Sequence, residues 1–92
     1  MLYIDKDTAK VVEVIQYAYE NSVEEINEFL DDDAYAFMPN NDGNIFIDIK
    51  DDNGHVESII LSPLFFLIKN EKSDWKYMTA NWKEFEDKYI KF

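Results

Sequence analysis

Alternation of hydrophobic and polar residues predicts a strand near the start of the chain. KVVEVIQY, residues 10–17, is rich in β-branched residues and places Val12 and Val14 on one strand face. The opposite face would carry Val11 and Ile15 together with two more polar side chains. A helix that starts earlier in the chain is the alternative for this stretch. MLYI, at the N-terminus, is either a short strand or an arm.

A helical repeat follows in NSVEEINEFLDD, residues 21–32. Ser22 and Glu25 match the S-x-x-E capping box, in which each side chain accepts from a free amide at the helix start. The apolar stripe that we expect to be buried comprises Val23, Ile26, Phe29 and Leu30. Three aspartates at 31–33 would lie at the negative end of the helix dipole, so we expect the helix to end there.

The only two glycines of the chain mark two tight turns. Asp42-Gly43 and Asn53-Gly54 are strong signals of hairpins, because tight hairpin turns need a positive φ angle. Between them NIFIDIK alternates, with its three isoleucines on one face, and the strand candidates DAYAFM and HVESIIL lie on either side. Residues 33–61 are therefore predicted to form a three-stranded meander.

The most apolar stretch of the chain is LSPLFFLIKN, residues 61–70. LFFLIK is apolar on both faces of a strand, which is typical of a sheet segment covered on both sides. The cover is either the helices of the same chain or a partner subunit. Pro63 suits a strand entry or a bulge because it lacks a backbone donor. SDWKYMT would add one more strand, with Trp75 and Tyr77 on one face.

The C-terminal stretch NWKEFEDKYIKF, residues 81–92, is predicted to be the second helix. Asn81 with Glu84 would cap it, and the spacings of Glu84 with Lys88 and of Asp87 with Lys91 favour ion pairs one turn apart. The stripe that we expect to be buried comprises Trp82, Phe85, Tyr89 and Phe92.

These elements predict one α+β domain over residues 1–92. It would contain a small, mainly antiparallel sheet of about five strands with two amphipathic helices, in the order β-α-β-β-β-β-(β)-α.

The distribution of charge indicates which kinds of partner the protein could bind. The formal net charge is −11, and residues 1–61 hold 15 acids and three lysines, whereas residues 62–92 hold five acids and six lysines. All nine basic residues are lysine. Because arginine is the usual bidentate reader of phosphates and guanine edges, direct nucleic-acid binding is disfavoured by both sign and residue type.

The sequence also indicates a compartment. It has no cysteine, which fits a reducing cytoplasm, and its start lacks the basic and apolar regions of a signal peptide. The longest apolar segment, Ile59–Ile68, is interrupted by Ser62 and Pro63, whereas a spanning helix needs about 20 apolar residues. We therefore expect a soluble cytoplasmic protein with no membrane partner.

Catalytic and metal-binding patterns are missing from the sequence. His55 is the single histidine and follows a turn, so we expect it to be a surface residue. Counting back from Gly43 or Gly54 places Met38 or Ile49 where a calcium loop of the EF-hand type needs its first acid. No serine has a nucleophile context. The prediction is a non-enzymatic protein without a metal or cofactor.

Three segments carry a resemblance to a known family. KVVEVIQY, SPLFFLIKN and FEDKY resemble the start, the V-x-P-G-D-Y-I-I-K-G motif and the end of a small tailed-phage and prophage family whose activity is uncharacterised. The resemblance covers about residues 8–90 and implies a phage setting. In place of the motif's Gly-Asp this chain has Leu64-Phe65, and Asn70 stands where the family has glycine.

Two interaction hypotheses follow from the residues. A dense acidic surface could imitate the phosphate row of a nucleic acid and occupy the basic groove of a host restriction, CRISPR or replication protein. The acids assigned to partner binding are Glu20, Glu24, Glu25, Glu28, Asp31, Asp32, Asp33, Asp51 and Asp52. The alternative is an assembly protein that forms homodimers or larger oligomers through its apolar segment. The residues assigned to that interface are Leu64, Phe65, Phe66 and Ile68.

A third hypothesis is a sponge for a small nucleotide signal. It is disfavoured by the lack of arginine and of a glycine-rich anion loop.

Overall fold

The computed structural model describes residues 1–18, 23–70 and 76–92. Within these ranges the chain forms eight strands and two helices, as follows: β1 (Leu2–Asp5), β2 (Val11–Gln16), α1 (Val23–Phe29), β3 (Ala34–Ala36), β4 (Ile45–Lys50), β5 (Val56–Leu61), β6 (Phe66–Lys69), β7 (Tyr77–Ala80), α2 (Trp82–Lys88) and β8 (Tyr89–Lys91). The α+β class with antiparallel pairing is confirmed. The strands divide between a five-stranded sheet, β7-β6-β2-β1-β8, and a three-stranded sheet, β3-β4-β5.

The chain divides into two compact units. Unit 1 comprises Met1–Gln16 and Leu64–Phe92, and unit 2 comprises Tyr17–Pro63. Unit 1 contains the five-stranded sheet and α2, and unit 2 contains the three-stranded sheet and α1. The sequence prediction of a single domain stays a prediction.

An aromatic cluster forms the core of unit 1. Val12 and Val14 of β2 are each 1% exposed, which confirms the strand predicted from their alternation. Phe85 of α2 stacks on Phe66 with ring centroids 4.0 Å apart, and it meets Tyr3 edge-on at 4.8 Å. These rings bury a large apolar area for so short a chain.

Strand β6, in the apolar run LFFLIK, is covered on both faces within one chain. Leu67 and Ile68 point to opposite faces of the sheet, and both are 0% exposed within one chain. A partner subunit is therefore not needed to bury them. Pro63 lies in the turn that joins β5 to β6, rather than at the predicted strand entry or bulge. Leu64 follows it with a φ of +70°, a conformation that strains any residue with a Cβ.

The C-terminal helix begins as predicted. Asn81 and Glu84 form the expected capping box, in which the Asn81 side chain accepts from the Glu84 amide at 2.9 Å. Phe85 and Tyr89, two members of the predicted stripe, are buried, but Trp82 and Phe92 are exposed by 66% and 70%.

The same helix ends one turn before the predicted end. Tyr89 has extended angles (φ −121°, ψ 144°), and Tyr89–Lys91 pairs with β1 as the edge strand β8. Pairing with β1 gives the backbone of these residues hydrogen-bond partners that a frayed last helical turn would lack. Ile90 also favours a strand because its side chain is β-branched. The predicted helical pair of Asp87 with Lys91 is therefore wrong.

Unit 2 follows the predicted meander. Its strands pair in the order β3-β4-β5, and Gly43 and Gly54 take φ angles of +80° and +85° in the two turns. Ile45 and Ile47 of β4 are fully buried, as is Ile26 of α1. The predicted Ser22 cap and the predicted face position of Trp75 lie outside the described residues.

Candidate functional site

All of the net charge belongs to unit 2. Residues 17–63 hold twelve acids and one lysine, which gives a formal charge of −11, whereas unit 1 holds eight acids and eight lysines. Unpaired charges of one sign raise the local potential and attract an oppositely charged partner. Unit 2 is therefore the part of the chain in which an electrostatic interaction surface can be built.

The first part of this acidic surface is the outer face of α1. Glu24, Glu25 and Glu28 are exposed, while Ile26 between them is fully buried. Glu24 and Glu28 are one helical turn apart, so their like charges lie side by side. Glu25 has an interaction within the chain.

Asn27 holds this helix against the sheet. Its side chain donates to the Ala36 carbonyl at 3.0 Å and accepts from the Ala36 amide at 2.8 Å. The sequence analysis overlooked this residue. Its position in the sequence could have indicated this role, because Asn27 is a polar residue four positions after Val23 and one after Ile26, beside the apolar stripe of the helix.

A groove of about 300 Å³ brings together acids that are distant in sequence. It is lined by Asp32, Asp33 and Asp48, with Lys50 as its cation, and by Ala34, Tyr35 and Val56. The β3–β4 register creates it by placing Tyr35 opposite Asp48, and the Lys50 amide donates to the Asp33 carbonyl at 2.8 Å. Asp48 was not among the predicted partner-binding acids and belongs with them on this geometry.

The turn acids differ in what remains available for a partner. One carboxylate oxygen of Asp51 accepts from the amides of Asn53 and His55, each at 2.9 Å, so this side chain builds the turn. Asp52 is exposed. The His55 side chain is 83% exposed and lies 3.5 Å from the other Asp51 oxygen, in the predicted position beside the turn.

Eight of the nine acids predicted to bind a partner lie among the described residues, and all eight belong to unit 2. Glu20 lies outside those residues. Asp31 and Asp33 are half-buried and have interactions within the chain. The exposed acids of the set are Glu24, Glu25, Glu28, Asp32, Asp51 and Asp52.

An exposed apolar patch on the outer face of the three-stranded sheet was not predicted. Tyr35, Phe37, Phe46 and Ile60 are exposed by 57%, 45%, 39% and 47%. Tyr35 and Phe37 meet edge-on with centroids 5.0 Å apart, and Phe46 faces Ile60 across β4 and β5. The alternation in IFIDIK contained the signal, because residues between the buried isoleucines must face outward.

The predicted oligomer-interface residues separate into core and surface. Ile68 is fully buried in unit 1, which corrects its assignment to a contact surface. Phe66 is half-buried and stacked on Phe85, and Phe65 is half-buried. Leu64 is 53% exposed, so this side chain can reach a second molecule.

Unit 1 has two polar features of its own. A groove of about 510 Å³ contains Lys69, but the Lys69 ammonium lies 3.1 Å from the Glu13 carboxylate, which offsets its charge. Burial, and then the negative charges of Asp5 and Asp7, raise the pKa of the Tyr89 hydroxyl to about 12. Among the described residues that hydroxyl is buried without a hydrogen-bond partner.

Neither unit shows a site for metal chemistry in the described ranges, since no three side chains of the ligating types converge there. No helix in those ranges is long and apolar enough to cross a membrane. Comparison of the chain with protein-family models, with curated proteins and with solved structures gives no match. The acidic surface of unit 2 is therefore the candidate functional site.

Proposed function

We propose that the protein is a non-enzymatic, phage-encoded interaction protein that inhibits a host protein of nucleic-acid handling or defence. Its acidic unit 2 would occupy the basic surface where the host protein normally binds DNA or RNA. The location is the cytoplasm of the bacterial host. The observation that carries the proposal is the placement of the whole net charge of −11 on unit 2, with one lysine among twelve acids.

Unit 2 would act as a mimic of nucleic acid through the charge of its carboxylates. A basic groove that attracts phosphates attracts carboxylates by the same long-range field, and this attraction weakens as salt screens it. The sheet that carries Asp48 and the helix that carries Glu24 and Glu28 are joined by the Asn27 hydrogen bonds, so the backbone positions of these acids are fixed within the unit. Pre-organised charges lose little conformational entropy on binding.

The phage setting rests on the family resemblance. The glycine of the family motif stands at the position of Leu64, and the backbone there has a φ of +70°, which glycine adopts freely. A backbone conformation that suits the motif's glycine supports the resemblance at its most altered point.

The test is an affinity capture from nuclease-treated lysate of a bacterial host, read by mass spectrometry at low and at high salt. Wild type is compared with E24K/E28K/D32K, which reverses three exposed acids of unit 2. The matched control is D7K/E86K/D87K, which reverses three exposed acids of unit 1. We expect wild type and control to retain one stoichiometric nucleic-acid-binding protein at low salt, and the unit 2 variant to lose it. Equal retention by both variants would contradict the proposal.

The exposed Leu64 favours a second function, a phage assembly protein that acts by homo-oligomerisation. Holding a leucine at φ +70° costs about 1–2 kcal/mol, and an apolar contact would explain why a leucine is kept there. Leu64→Gly removes the side chain and relieves the strain at once, so the fold stays intact. Sedimentation at high salt should show an oligomer for wild type and a monomer for Leu64→Gly. A wild-type monomer at every concentration would exclude this function.

A further inference from the structure

The last strand of the three-stranded sheet has one unpaired edge. Strand β5 is hydrogen-bonded to β4 and to no other strand of the described residues. The Asp51 amide donates to the His55 carbonyl, and hydrogen-bonded pairs recur every second residue along an antiparallel ladder. Glu57, Ile59 and Leu61 therefore bond to β4, and the alternate residues of β5 direct their backbone groups away from it.

Those alternate residues are Val56, Ser58 and Ile60. Among the described residues, no group is hydrogen-bonded to the backbone amides or carbonyls of these three residues. The Ser58 hydroxyl donates to Asp48, but this bond involves only side chains. Three consecutive donor and acceptor pairs in one row are a ready template for another strand.

Apart from one charged residue, Glu57, this edge lacks the features that usually protect a sheet edge. It is six residues long, whereas the other edge strands β3, β7 and β8 have three or four. Between Val56 and Leu61 it contains no proline and no lysine, and Val56 and Ile60 are exposed by 61% and 47%. Proteins normally shorten, bend or charge such an edge to prevent pairing.

Charge decides which segment fits the edge. Glu57 lies on this strand, and Asp51 and Asp52 lie in the turn that precedes it, against Lys50 and an exposed histidine. A second copy of this chain would bring another charge of −11 to the same place. An extended segment with lysine or arginine alternating with apolar residues would instead place its apolar side chains beside Val56 and Ile60 and its cations on the opposite face, beside Glu57.

We propose that the β5 edge binds an extended basic segment of the partner as a fourth strand of the β3-β4-β5 sheet. The basic character of the segment rests on the proposed function, whereas the open edge rests on the backbone alone. Electrostatic attraction alone does not fix the orientation of a bound segment. Backbone pairing with β5 would fix its direction and its register.

The test uses the full-length protein, labelled with nitrogen-15, and two synthetic heptapeptides in which lysine or glutamate alternates with valine. Hydrogen exchange is read at each amide of β5. With the lysine peptide we expect at least tenfold slower exchange at Val56, Ser58 and Ile60, and little change at Glu57 and Ile59, which are already bonded to β4. The glutamate peptide should have no effect. Unchanged exchange at those three amides would overturn the proposal.

Two variants separate the edge from its surroundings. Ser58→Pro removes an outward donor and leaves the β4 ladder intact, while Ser58→Ala keeps the donor and loses only the hydroxyl. We expect Ser58→Pro to weaken lysine-peptide binding at least tenfold and Ser58→Ala to bind as wild type does. If Ser58→Pro does not fold, the exchange experiment on wild type still decides. Protection that grows with protein concentration, without peptide, would assign the edge to a second copy and overturn the basic-segment proposal.

The outcomes also separate this proposal from the proposed function. A captured host protein that binds Ser58→Pro as tightly as wild type, but does not bind E24K/E28K/D32K, would overturn the edge and leave the acidic mimic standing. Protection of the edge by the lysine peptide, with no salt-sensitive host protein captured, would support the edge and contradict the mimic.

Discussion

Unit 1 and unit 2 have similar lengths, but they differ in net charge and in whether aromatic rings form their core. Unit 1 balances its acids with lysines and buries Phe85 among three other rings. Unit 2 has a net charge of −11, a smaller aliphatic core and an outer sheet face with exposed Tyr35, Phe37 and Phe46. Unit 1 thus has a neutral surface and a buried aromatic cluster, although Trp82 and Phe92 are exposed, whereas unit 2 combines a strong negative charge with rings that a partner can reach.

The largest effect should come from the aromatic core of unit 1. Phe85 is 5% exposed, and we expect Phe85→Ala to lower the free energy of unfolding by about 3–5 kcal/mol, since it leaves a cavity among stacked rings. Trp82→Ala on the same helix is the control, because Trp82 is 66% exposed, and it should cost below about 1 kcal/mol. Urea unfolding followed by far-ultraviolet circular dichroism gives both values. Equal losses would break the contrast between buried and exposed rings.

A smaller loss should follow when the acidic helix is detached from its sheet. Asn27→Ala removes both hydrogen bonds to Ala36, and we expect a loss of about 2 kcal/mol, because the backbone groups of Ala36 are then left without these partners. The same urea titration measures it, with the exposed neighbour Glu28→Ala as the control. The Ala36 amide should also exchange with solvent faster. A loss no larger than the control's would show that Asn27 does not position the helix.

The two units should respond with opposite signs to changes at positive φ. Gly43 of unit 2 takes +80°, and an added Cβ would lie 3.3 Å from Pro63 Cγ, so we expect Gly43→Ala to destabilise by about 1–2 kcal/mol. Leu64 of unit 1 takes +70°, and Leu64→Gly should stabilise by about 1 kcal/mol. Thermal unfolding of the two variants checks the signs. Destabilisation by Leu64→Gly would show that contacts of the leucine side chain outweigh its backbone strain.

The smallest change at neutral pH should come from Tyr89→Phe. The hydroxyl has no hydrogen-bond partner among the described residues, so its removal should leave stability at pH 7 unchanged or slightly higher. The folded-state pKa is raised to about 12, so between pH 10 and 12 the unfolded chain ionises first and wild-type stability falls with rising pH. The variant should fall less over that window. Parallel curves for the two proteins, measured by urea unfolding, would contradict the raised pKa.

Local patterns predicted much of unit 2. The two glycine turns and the alternation in β4 depend on neighbours in sequence, and both are confirmed. The acids of the candidate surface could also be named from sequence, although the groove that joins Asp33 to Asp48 could not, because it depends on the β3–β4 register.

Long-range pairing explains what the sequence analysis missed. Residues 89–91 carry a helical pattern, but β1 lies at the other end of the chain and captures them as a strand. The same limit applies to Ile68, which is buried because Val14 and Ala80 of the neighbouring strands and Phe85 of α2 form a core cluster with it. The open edge of β5 could not be predicted either, because the order of strands in a sheet depends on long-range pairing.

The most direct test of the acidic surface is displacement of duplex DNA from the captured host protein. Fluorescence anisotropy would follow a labelled duplex while wild type, E24K/E28K/D32K or D7K/E86K/D87K is added. We expect wild type and the unit 1 control to displace the duplex at similar concentrations, and the unit 2 variant to need a concentration about tenfold higher, or more. Displacement by all three proteins at one concentration, or by none of them, would contradict the claim that the acids of unit 2 take the place of a nucleic acid.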